Sequence, residues 1–228
     1  MKASAGRRLI AEFLGTAFLL AAVVGSGIMA ERLAQGNVAL ALLANAVATG
    51  AALTALILTF GPVSGAHFNP VVTLMDGFWG GTSWRLASGY VFAQIVGAFS
   101  GVAAAHLMFG APLFSASQHV RGGGALVLSE AIATGGLLLV IAGCSRHNAA
   151  ATPYAVGSYI AAAYWFTAST SFANPAVTLA RCFTDTFAGI RPTDAPGFIA
   201  AQLLATVLAM PLIRWLFATG KMAEAARS

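Results

Sequence analysis

The sequence predicts an all-α membrane protein of six transmembrane helices and two re-entrant half-helices, arranged as an inverted 3+3 repeat. Three observations carry this. Only 8% of the 228 residues are charged, whereas a soluble domain uses roughly 25% to cover its surface in water. Six stretches are long and apolar enough to span a bilayer, each near the ~20 residues that cross ~30 Å of hydrocarbon. The hexapeptide Asn-Pro-x-Val-Thr-Leu occurs twice, at 69–74 and 174–179. Disorder is excluded, because a mean hydropathy of +0.81 leaves ample apolar surface to bury.

The six spans fall at about 9–29, 38–60, 86–109, 125–143, 153–172 and 196–218. The first follows Lys2, Arg7 and Arg8, as a secretory signal would, but it contains Glu12 and outruns the apolar core of a signal, so it reads as a retained helix. Two shorter apolar pieces, 64–78 and 171–186, carry the Asn-Pro pairs. Too short to cross, they read as half-helices, which a membrane tolerates only where protein or a water-filled cavity surrounds the irregular backbone.

Six spans put both termini on one side. Lys2, Arg7, Arg8, Arg85, Arg146, Arg214, Lys221 and Arg227 share that side, against Arg32, Arg121, Arg181 and Arg191 opposite. The excess favours cytoplasmic termini. The basic residues are scattered rather than striped, so no nucleic-acid partner is indicated. Cys144 and Cys182 form no CxxC or Cys/His cluster and fall on opposite faces, Cys182 near the outer mouth within reach of thiol reagents. No pair of His67, His106, His119 and His147 has metal-ligand spacing, and no metal or other cofactor is expected.

The chain repeats itself beyond the hexapeptide. "IAEFLGTAFLL" at 10–20 resembles "LSEAIATGGLL" at 128–138, with Glu12 and Glu130 in register. "YVFAQIVGAFS" at 90–100 resembles "FIAAQLLATVL" at 198–208, with Gln94 and Gln202 in register. The chain therefore reads as one domain over 1–228, with repeat 1 at about 9–109 and repeat 2 at about 125–218. Three spans per repeat is an odd number, so the second copy enters the membrane upside down. Such repeats create a pseudo-two-fold axis in the membrane plane with the functional site near the midplane.

Asn is a strong N-cap because its side-chain oxygen accepts from a free backbone N–H. Pro suits the next position, since its fixed φ is helical and its missing N–H was unpaired anyway. Capping of this kind leaves the amide groups of Asn69 and Asn174 as donors facing one small central space. Each half-helix adds about +0.5 of an elementary charge there, which repels cations and suits neutral solutes with lone pairs.

With "HFNPV" at 67–71 and "ANPAV" at 173–177 the chain resembles the aquaporin (major intrinsic protein) family over nearly its whole length. The resemblance implies a right-handed six-helix barrel, a homotetramer in the lipid bilayer, one pore per subunit, and Asn69 and Asn174 at the pore centre. Most family members place Arg directly after the second Asn-Pro-Ala; here Val177 stands there. A gapless count puts the four filter positions on Thr49, Ala162, Ser171 and Val177, and a slip of one or two residues at Ala162 brings in Tyr164. All four are small and uncharged. The resemblance is to the bacterial aquaglyceroporin branch, in particular its arsenic-associated AqpS type. It implies a wide passive channel in the bacterial inner membrane for water and small uncharged solutes: glycerol, urea, arsenite and methylated arsenicals.

Other polar residues have two readings each. Glu12 and Glu130, carboxylates within spans, are either a proton relay or supports for the two re-entrant loops, and the repeat symmetry favours loop support. His67 is expected to line the inner vestibule. Arg181 either pairs with Asp185 at i+4 or faces the outer vestibule one turn beyond Val177. Small residues at 97, 98, 101 and 103–105 point to close helix packing, and Trp79, Trp84, Trp165 and Trp215 to interfacial anchoring or packing. The alternatives are a secondary transporter of inverted-repeat type, a water-selective aquaporin and an ion channel. An enzyme is not indicated: there is no HExxH, no Ser/His/Asp arrangement and no paired catalytic aspartates.

Overall fold

The computed structural model describes residues 3–217. Lys2, Lys221, Arg227 and the end of the sixth predicted span at 218 lie outside them. The helices are α1 (Ala5–Leu33), α2 (Val38–Ser64), α3 (Pro70–Phe78), α4 (Trp84–Phe109), α5 (Gly124–His147), α6 (Thr152–Phe166), α7 (Pro175–Arg181) and α8 (Ala195–Leu216), with a 3-10 turn at Ala149–Ala151. Helices α3 and α7 are the half-helices, and each starts at its proline rather than several residues earlier.

Among the described residues five helices are long and apolar enough to cross a membrane: α1, α2, α4, α5 and α8. The predicted fifth span, 153–172, is shorter than expected. Helix α6 stops at Phe166, where Thr167 turns extended and its hydroxyl bonds the Ala163 carbonyl at 2.6 Å. The remaining residues, 167–174, form an irregular re-entrant loop.

Helices α1 and α4 run parallel in close contact. Arg8 ties one end to Tyr90 and Thr82, while Arg32 donates to the Phe109 carbonyl at the other. Between them Gly97 and Gly101 lie on the α1 backbone, where an added methyl would overlap the carbonyl oxygens of Phe13 and Ala17. Helices α2 and α6 cross through Gly50 and Gly157 in the same way, a methyl on Gly50 falling 2.7 Å from the Gly157 oxygen. Small residues allow this approach, and dispersion contacts replace the absent hydrophobic drive between helices.

The burial pattern suits a membrane. Large apolar side chains such as Phe92, Val207, Leu208 and Trp215 are exposed, while Glu12, Gln94, Glu130 and Gln202 are fully buried. Trp84 and Trp165 are exposed as anchors would be, but Trp79 turns inward and carries the Arg146 guanidinium 4.7 Å over its ring. Cys182 is buried among Phe172, Ile190 and Phe198, which corrects the expectation that thiol reagents reach it.

Candidate functional site

The two loops that precede the half-helices share one unusual backbone. Ala66 and Phe68 in the first, and Ser171 and Ala173 in the second, have φ between 46° and 51°. In this left-handed region a side chain costs about 1–2 kcal/mol per residue. The glutamates compensate for that strain. Glu12 accepts from the N–H groups of His67 and Phe68 at 3.0 and 2.7 Å, and from the Ser64 hydroxyl. Glu130 accepts from those of Phe172 and Ala173, both at 2.8 Å.

A second pair of clamps follows the same symmetry. Gln94 donates to Glu12 and to the Thr73 hydroxyl at 2.8 and 2.9 Å; Gln202 donates to Glu130 and to Thr178 at 2.7 and 2.9 Å. Each amide thus locks a long helix, a loop glutamate and a half-helix together. The repeat alignment marked both glutamines. Their partners Thr73 and Thr178, present in the repeated hexapeptide, were not assigned a part.

Held this way, the half-helices meet tip to tip. Asn69 caps α3 by accepting from Val71 N–H, and Asn174 caps α7 by accepting from Ala176 and Val177 N–H. Their amide groups are less free than the sequence suggests. The Asn69 amide donates to the Ala173 carbonyl at 2.7 Å and the Asn174 amide to the Phe68 carbonyl at 2.8 Å, cross-linking the loops. Each NH2 carries two hydrogens, so one donor on each remains for the space beside it.

That space belongs to a cavity of about 470 Å³. One end is lined by Asp76, Trp79, Ser145 and Arg146, and the other by Tyr164, Ser171, Phe172 and Arg181, with Asn69 and Asn174 between. Thr49, Ser171 and Val177 line it, and so does His67, whose ring bonds Thr73 at 3.1 Å and approaches Asp76 at 3.8 Å.

Ala162 does not line it. Its side chain is exposed on the outer face of α6, and Tyr164 takes the expected place, its hydroxyl 3.3 Å from that of Thr49. The reason is helical phase. Thr152, Val156, Ile160 and Tyr164 form the cavity stripe of α6 at i, i+4 spacing, and two residues turn a helix by roughly 200°. That stripe was the available signal, and a count from the Asn-Pro box could not see it.

The expected pairing of Arg181 with Asp185 is also absent. Asp185 accepts instead from the Gln118 N–H at 2.9 Å. Arg181 is 2% exposed, donates through Nε to the Ala188 carbonyl, and lies 3.4 Å over the Phe172 ring. Among the described residues no group of three or more His, Cys, Asp or Glu side chains is placed to hold a metal ion.

The family profile for "Major intrinsic protein" matches residues 1–161. The chain belongs to the major intrinsic protein family. It is 56% identical over 210 residues to Aquaglyceroporin AqpS of Rhizobium meliloti (strain 1021), covering 92% of this chain and 90% of that one. It is 31% identical to a probable glycerol uptake facilitator protein of Thermotoga maritima, over 62% of this chain and 65% of that one. The X-ray structure of the aquaglyceroporin from Plasmodium falciparum superposes with a TM-score of 0.66 at 23% identity, covering 93% of this chain and all of that one, a likeness of fold. As a major intrinsic protein the chain is an integral membrane channel for small solutes.

Proposed function

We propose that this major intrinsic protein is a passive channel of the aquaglyceroporin kind, carrying glycerol, urea, arsenite and methylated arsenicals together with water. The observation that carries the reading is the cavity itself. It is lined from Asp76 to Arg181 with the half-helix tips between, and at its outer part the small uncharged Thr49, Ser171 and Val177 stand beside Tyr164, Phe172 and Arg181. Val177 removes the bulk and the donors that an arginine would place one residue after Ala176. Asn69 and Asn174 serve as central donors, and the half-helix dipoles oppose cations there. Glu12 and Glu130 act as loop supports, because the loop N–H groups and glutamine amides occupy their oxygens. The channel is one domain, works as a homotetramer, and sits in the bacterial inner membrane with cytoplasmic termini.

Tyr164 favours a second reading. It stands where Ala162 was expected, and its hydroxyl contact with Thr49 narrows the outer part toward a water-selective pore. Transport type is tested separately from size. Glycerol uptake into proteoliposomes should be linear in concentration, indifferent to imposed proton or sodium gradients, and without ionic conductance. Gradient-coupled uptake would establish a transporter, and a cation current an ion channel.

A further inference from the structure

The most unusual group in the cavity is Arg181. A buried guanidinium normally meets a carboxylate, because an unpaired charge away from water is expensive. Among the described residues no carboxylate lies within 4.0 Å of it; the ion pairs are His67 with Asp76 and Arg191 with Asp194. The candidates are engaged elsewhere. Glu130 is held by two backbone N–H groups and Gln202, and Asp185 by Gln118.

Arg121 offers an internal comparison. It lies 5.3 Å over the same Phe172 ring, yet its Nε and both terminal nitrogens are bonded to Gly189, Ser169, Thr170 and Phe187 at 2.8–3.4 Å. That is a structural arginine. Among the described residues Arg181 has one hydrogen bond, from Nε to the Ala188 carbonyl, and it lines the cavity. Its neighbours are also polar. Tyr164, its hydroxyl 3.3 Å from that of Thr49, lines the same end, and among the described residues the hydroxyl of Ser171, a residue 3% exposed, has no hydrogen-bond partner.

A planar fork with free N–H groups beside hydroxyl donors matches two acceptor oxygens on one centre. We propose that Arg181, Tyr164 and Ser171 form a recognition step at the outer end of the cavity for a small oxyacid, the guanidinium edge taking two of its oxygens. Val177, one turn deeper on the same face of α7, leaves room for the rest of the solute. This rests on the channel reading above, and it adds a preference by chemistry to a limit by size.

The test uses full-length protein in liposomes and follows methylphosphonate and urea uptake in parallel. Arg181→Met should lower the methylphosphonate-to-urea ratio by about tenfold. Arg181→Lys, which keeps the charge and loses the fork, should give an intermediate ratio, and Tyr164→Phe a reduction of about two- to threefold. Methylphosphonate on the Arg181 side should also slow urea uptake saturably in the unmodified protein. Calorimetric titration of methylphosphonate into detergent-solubilised protein reads the same site without transport, which covers a variant that fails to fold. An unchanged ratio in folded variants, or no saturable competition and no binding, overturns the proposal. Failure of the unmodified protein to pass urea or glycerol, with binding intact, would overturn the channel reading and leave the site standing.

Discussion

Asp76 and Arg181 occupy the same place in the two half-helices, each seven residues after its Asn, and both line the cavity. The inverted repeat therefore puts a carboxylate, with Arg146 nearby, at one mouth and the Arg181 guanidinium at the other. Free ions are opposed, a cation at the guanidinium and an anion at the carboxylate, and only an oxyanion bonded by the Arg181 fork has that barrier offset; an uncharged solute meets neither. Reversing the charge at one end tests this. Asp76→Lys gives both mouths positive charge and should raise anion permeation relative to glycerol, as read from chloride flux in proteoliposomes. No change in that ratio would show that the Asp76 charge is screened by solvent.

Tyr164 rather than Ala162 should control the outer width. Tyr164→Ala should increase uptake of glycerol-sized solutes several-fold in stopped-flow light scattering. Ala162→Phe, on the outward face of α6, should leave uptake within twofold of the unmodified protein. The reverse pattern would restore the register counted from the Asn-Pro box.

Glu12 and Glu130 hold strained loops, so their removal should cost folding before it alters selectivity. Each replacement by Ala strands two loop N–H groups, at about 1–3 kcal/mol for each buried group left unsatisfied. Expression of monodisperse protein and its thermal midpoint in detergent should fall for both variants. A stable Glu12→Ala variant with lost gradient-coupled transport would point to a proton relay instead.

The small residues between α1 and α4 should be intolerant of bulk. Gly101→Leu drives a side chain into the Ala17 carbonyl and the Leu20 side chain, and overpacking of this kind costs about 1–3 kcal/mol or more. A thermal midpoint equal to that of the unmodified protein would mean the helices separate more easily than their contact implies.

At the start of α8, Arg191 donates to Asp194 at 2.9 Å and the Arg121 N–H adds a second bond, holding the Asp194 carboxyl below the ordinary carboxylate range. A carboxyl lowered on folding stabilises the fold above its unfolded pKa, and that stabilisation is lost as pH falls through the folded value. The thermal midpoint should drop on acidification below about pH 4. Asp194→Asn should lower it at neutral pH and flatten that part of the profile; an unaltered profile would show that this pair adds nothing to stability.

Much of this architecture was legible because the repeat writes it twice. The matched Asn-Pro boxes, Glu12 with Glu130 and Gln94 with Gln202 are polar groups that a membrane interior tolerates only when paired, so their recurrence marked the loops and their supports. Helix ends and helix phase were less legible. In a mostly apolar span composition does not show where α6 stops, so the span read from the sequence overruns it into the loop. Only the stripe Thr152, Val156, Ile160 and Tyr164 marks its inward side, and a count from the Asn-Pro box lands on Ala162 instead of Tyr164. The partner of Arg181 was missed for a related reason. Spacing within one helix suggested Asp185, whereas the loop around Ala188 and the ring of Phe172 decided the outcome from outside it.

The most direct test of the account is arsenite uptake into proteoliposomes beside osmotic water flow, with Val177→Arg as the comparison. Fast arsenite and glycerol uptake in the unmodified protein, cut by about tenfold or more in Val177→Arg while water still passes, is the expected result. Fast water flow with no arsenite or glycerol uptake in the unmodified protein would contradict it. The contact between Thr49 and Tyr164 would then be the limiting gate.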